Sequence, residues 1–85
     1  MYERNPDVIV TALPGETVLL DPATRALFTL NASGTVVWER IEEGIDVLVD
    51  AITARFAVDV DQARADATKT VAELLAAGLV RATAP

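Results

Sequence analysis

From Asp21 to Ile41 the chain reads DPATRALFTLNASGTVVWERI: a proline turn, a strand whose only charge is Arg25, and a helix built around Trp38, with no linker between them. A strand that runs straight into a helix leaves the helix to fold back across the sheet, because each element has an apolar side to bury. Ala26, Phe28 and Leu30 share one face of that strand, and Arg25, Leu27 and Thr29 the other. Every other segment can be read as covering one side of this unit.

Upstream, Asn5-Pro6 closes a polar start with extended or turn backbone. Val8 to Leu13 reads as a first strand with Val8, Val10 and Ala12 on one face. Pro14-Gly15 suits the centre of a type II turn, proline setting the first dihedral and glycine accepting the positive one. Thr17 to Asp21 then pairs back as a second strand. Asp21-Pro22-Ala23-Thr24 makes the next tight turn, and Thr24 to Leu30 is the third strand, so strands one and three are the edges of a meander.

Downstream, the first helix starts at Asn31 or Ser33, both good capping types, and stops at Gly44. Gly34 in its first turn costs about 1 kcal/mol of helix propensity. Leu48, Val49, Ile52 and Phe56 define a second helix over Asp46 to Phe56. Asp59 and Gln62 form a capping pair for a third, whose apolar series Ala63, Ala67, Val71, Leu74 and Leu75 runs to Gly78. Leu79-Val80 tucks back under the core. The order βββααα, without repeats or linkers, predicts one α+β domain over residues 1–85, a winged-helix-like module with helices on one face of an antiparallel sheet.

A chain of 85 residues buries only about 60–65 % of its unfolded surface, so the core is thin. Hydrophobic residues make up 52 % and aromatics 5 %, which assigns that core to Val, Leu, Ile and Ala and argues against disorder. Thirteen acidic against seven basic side chains give a net charge of −6, unfavourable toward nucleic acid and anionic membranes. Cysteine and histidine are absent, which removes thiolate or imidazole metal sites, Cys or Ser/His nucleophilic chemistry and disulfides. No catalytic residue, metal or cofactor is expected. The N-terminus resembles neither a signal peptide nor a membrane span, and a cytoplasmic location suits the composition.

Candidate sites narrow quickly. A calcium loop from Asp59 would need glycine where Arg64 stands and glutamate where Thr70 stands, so Asp59 is a helix cap and Asp61 a first-turn acid. Ser33-Gly34 lacks the flanking Asp and Leu of a carrier-protein attachment serine. A winged-helix reader of DNA needs a basic helix three, but Arg64, Lys69 and Gln62 are outweighed by Asp61, Asp66 and Glu73. Phe28 and Trp38 point inward by phase and read as core.

The third strand stands apart. Edge strands usually carry charges, prolines or bulges that discourage pairing with another chain, and this one carries only Arg25. Either the protein's own tail or helix three covers it, or it accepts a peptide as an added strand. A homodimer pairing through the same edge is the alternative from a different class.

The segments LLDPATRALFTLNASGTVVW, Arg55-Phe56 and LLAAGLV together resemble the PqqD-like family, the recognition elements for leader peptides of ribosomally made, modified peptides. The likeness runs from Val8 to Val80. Within the family, DPATRALFTLN and VVWE are most similar to the stand-alone form of lasso-peptide clusters. Two positions depart from the pattern: Gly44 stands where Thr or Ser often caps a helix, and Thr70 where a larger apolar residue is common. The resemblance implies a leader peptide bound antiparallel between strand three and helix three. The backbone of Arg25, Ala26, Leu27, Phe28, Thr29 and Leu30 would pair with it, and Ala63, Asp66, Ala67 and Thr70 would form the facing wall. It also implies a leader carrying Tyr and Pro, a separate cysteine leader peptidase or other modifying enzyme as partner, and no activity of the chain's own.

Overall fold

A computed structural model describes residues 1–83. Ala84 and Pro85, at the end of the span expected to form the domain, lie outside the described residues. The meander is present as β2 (Ile9–Leu13), β3 (Glu16–Asp21) and β4 (Ala26–Asn31), antiparallel in the order β2-β3-β4. The helices α1 (Ala32–Arg40), α2 (Ile45–Phe56) and α3 (Val60–Ala76) follow, with a 3-10 turn over Ile41–Glu43. This is the α+β, three-stranded, three-helix arrangement predicted from sequence.

Local chemistry accounts for the boundaries. Gly15 has φ 75, as the β2–β3 turn requires. The Asp21 side chain accepts from Ala23 N at 3.0 Å, and Arg25 N donates to Asp21 O at 2.7 Å, closing the β3–β4 turn. Arg25 itself has φ 63 and belongs to that turn. The strand therefore begins at Ala26 rather than Thr24, and it extends through Asn31. Asn31 caps α1 by accepting from Gly34 N at 2.8 Å, and Asp59 caps α3 by accepting from Gln62 N at 2.8 Å. Gly44 has φ 96 and ψ 164, a conformation essentially restricted to glycine, which explains why no Thr or Ser cap stands there.

The core joins Leu19 and Leu30 of the sheet to Val37, Trp38, Ile41, Leu48, Ile52, Val71, Leu74 and Leu79. Two further short strands, β1 (Tyr2–Arg4) and β5 (Val80–Ala82), pair antiparallel as a second sheet, with Tyr2 opposite Ala82. Neither strand is expected from the sequence, in which residues 1–7 are a polar lead-in and only Leu79-Val80 fold back. Asn5 links both ends to the meander: its backbone N–H donates to Leu79 O at 2.9 Å, and its side chain reaches Gly78 O at 3.3 Å and Asp21 Oδ2 at 3.5 Å.

Strand β2 is the outer strand on the side away from β4. Its residues are all exposed, although Val10 and Ala12 stand opposite Leu19 and Thr17 on the core-facing side. On the other face Ile9, Leu20 and Leu27 align in register across the three strands.

Candidate functional site

Strand β4 is an edge: it pairs with β3 on one side and with no described strand on the other. Its alternation is the one expected from sequence. Leu30 is buried and Phe28 half-buried against the core, while Leu27 and Thr29 are exposed. The end strand of a sheet presents a row of N–H and C=O groups able to pair with an added chain.

Beside that edge runs a cavity of about 490 Å³. One wall is Phe28 to Asn31 of β4, and the other is Asp66, Lys69, Thr70 and Glu73 of α3. Gly15 and Glu16, together with Ser33 and Gly34 in the first turn of α1, also line it. Helix α3 leaves this space open because it packs chiefly on α2, and also on α1 and β5. Gly34 permits the close approach of α1 to β4: a Cβ there would lie 3.2 Å from both Asn31 Oδ1 and Leu30 Cδ2. A second, more apolar hollow of about 280 Å³ shares Asn31, Ser33 and Asp66 with the first and adds Ile52, Phe56 and Val58. The two form one trough along β4 and across the end of α2.

The structure brings together Phe28, Thr29, Leu30, Asp66 and Thr70 of the expected site around this trough. Ala26 and Leu27 lie earlier on the same strand, and Arg25 sits in the turn before it. Ala63 and Ala67 fall elsewhere. Both have 0 % exposure and belong to the core, and neither lines the trough. The reason is helical phase: they share the stripe of Val71 and Leu74, which α3 buries. Sequence reasoning passed over Lys69 and Glu73 as wall residues. The signal was available, since Asp66, Lys69, Thr70 and Glu73 follow the i, i+3, i+4, i+7 spacing of one helix face.

Electrostatically the trough is acidic. Among the described residues, Glu16, Asp66, Lys69 and Glu73 join no salt bridge; the four ion pairs present lie elsewhere. Asp66 Oδ1 accepts one hydrogen bond, from Gln62 Nε2 at 2.9 Å. Among the described residues no group of His, Cys, Asp or Glu could hold a metal ion.

Fold and site together define a small winged-helix-like α+β module with an unpaired sheet edge facing a helix across a polypeptide-sized groove. The chain belongs to the PqqD family: the family model for coenzyme PQQ synthesis protein D matches residues 16–80. Among solved structures, TbiB1 in complex with the TbiA(β) leader peptide superposes with a TM-score of 0.84 at 28 % identity, over 98 % of this chain and 99 % of that one. A lasso peptide synthetase B1 complexed with its leader peptide gives a TM-score of 0.82 at 19 % identity, over 95 % and 98 %, a likeness of fold. No curated protein matches the chain.

Proposed function

We propose that this protein is a non-catalytic adaptor that captures the leader segment of a ribosomally made precursor peptide, of the lasso class, and presents it to a partner cysteine leader peptidase or other modifying enzyme in the cytoplasm. The leader adds to β4 as an antiparallel strand, pairing with the backbone of Ala26 to Leu30, with Asp66 and Thr70 on the facing wall. The observation that carries this reading is the open β4 edge beside a groove that α3 leaves unfilled. Membership of the PqqD family and the similarity to TbiB1, itself a leader-peptide complex, support it.

The energetics suit capture and release. About five backbone hydrogen bonds at a net ~0.5–1.5 kcal/mol each, with two or three apolar side chains buried, offset ordering costs to give a Kd on the order of micromolar. Titration of a fluorescently labelled lasso-precursor leader into the purified chain tests the reading. Saturable binding in the low micromolar range is expected, and absence of saturation at tens of micromolar overturns it. Size-exclusion mass measurement separates it from a homodimer paired through β4, which would occupy the same edge.

A further inference from the structure

We propose that the groove selects its leader by charge, with Lys69 receiving an acidic side chain between two basic ones. The inference rests on the leader-capture reading and names the class of peptide taken. Lys69 is the only lysine of the chain, and among the described residues it has no ion-pair partner. It is exposed on the α3 wall of the trough, with Asp66 and Glu73 on the same face to either side.

The spacing fits an extended peptide. At a rise of about 1.5 Å per helical residue, Lys69 stands roughly 4.5 Å along the axis from Asp66 and roughly 6 Å from Glu73. Alternate residues of a strand, those on one face, repeat every ~6.6 Å. Three successive helix-facing positions of the added strand therefore meet negative, positive and negative charge in turn. Glu16, opposite Asn31 in the β3–β4 register, strengthens the negative end beside Asp66.

Direction follows from the fold. Asn5 ties Gly78, just beyond α3, to Asp21, which stands opposite Ala26 at the start of β4. Asp66 in turn shares a hollow with Asn31 at the end of β4. Helix α3 thus runs antiparallel to β4, and a leader antiparallel to β4 runs parallel to α3. Read from its N-terminus, the favoured segment is basic, any residue, acidic, any residue, basic. A peptide of inverted charge sets two carboxylates against Asp66 and Glu73 and an ammonium against Lys69.

Selection from a randomised peptide display library on the full-length chain tests this, followed by fluorescence anisotropy on an enriched peptide and its charge-inverted twin. The expected result is enrichment of the basic–acidic–basic alternation. The twin should bind about fivefold more weakly at low salt, as summed exposed ion pairs allow, with the gap closing at high salt. Lys69→Glu, at an exposed position and checked for fold by circular dichroism, should shrink the fivefold gap to less than about twofold, because the central contact turns repulsive while Asp66 and Glu73 still favour the basic ends. Enriched peptides without charge bias, or a preference unchanged in Lys69→Glu, overturn the inference and leave leader capture standing. Failure to enrich any peptide overturns both.

Discussion

Replacing Ala67 by glutamate separates the core face of α3 from its groove face. Ala67 has no exposed surface and is part of the close-packed core. A longer side chain there overpacks at a cost of about 1–3 kcal/mol, and a buried carboxylate without a partner adds about 3–5 kcal/mol. At roughly 0.05–0.15 kcal/mol per residue, a chain of 85 residues holds about 4–13 kcal/mol in all. Ala67→Glu should therefore remove most of the stability. Thr70, one helical step away, is half-buried on the trough wall. Thr70→Arg should keep the fold to within about 1 kcal/mol, since its guanidinium can pair with Asp66 and Glu73 at i−4 and i+3 while it crosses the groove. Urea unfolding followed by Trp38 fluorescence gives the stabilities, Trp38 being 5 % exposed and so a reporter of the core. Anisotropy with a labelled leader gives the binding. The assignment of α3 faces would be refuted by an Ala67→Glu protein that unfolds within about 1 kcal/mol of wild type yet no longer binds, or by a Thr70→Arg protein that binds as before.

Three further outcomes are expected. Asn31→Ala removes the α1 cap at Gly34 N and should cost about 1 kcal/mol, seen as a Tm lower by roughly 4–8 °C in calorimetry. Asp21→Ala leaves Ala23 N without its 3.0 Å acceptor and removes one of the Asn5 side chain's partners; a loss of about 1–2 kcal/mol in urea titration is expected, with the N-terminal amides exchanging faster by hydrogen–deuterium exchange. Leu27→Lys, at a position 67 % exposed on the outer face, should change stability by less than about 0.5 kcal/mol and leave leader affinity in place, because only the backbone of that residue is asked to pair.

Much of the fold was legible because its determinants are local. Pro14-Gly15 and Asp21-Pro22 punctuate the meander, Asn31 and Asp59 each carry their capping oxygen to a nearby N–H, and the apolar spacing of α3 marks its buried stripe. Arg25 misled at the strand start because a non-glycine residue at φ 63 leaves no trace in composition. Ala63 and Ala67 misled at the site because small side chains suit a groove wall and a crowded core equally well. Only the packing of α3 on α2 and α1 decides between them.

What the chain determined by itself was the sequence of elements and which side of each is apolar, since turns, caps and periodicity act over a few residues. Tertiary structure decided what those elements meet. Tyr2–Arg4 is too short and polar to announce a strand, and it becomes one because Val80–Ala82 arrives beside it. The gap between β4 and α3, and the face of Asp66, Lys69, Thr70 and Glu73 that lines it, likewise exist only because α3 packs elsewhere. Contacts between residues far apart in sequence depend on the summed packing of the whole chain, and no local pattern records that sum.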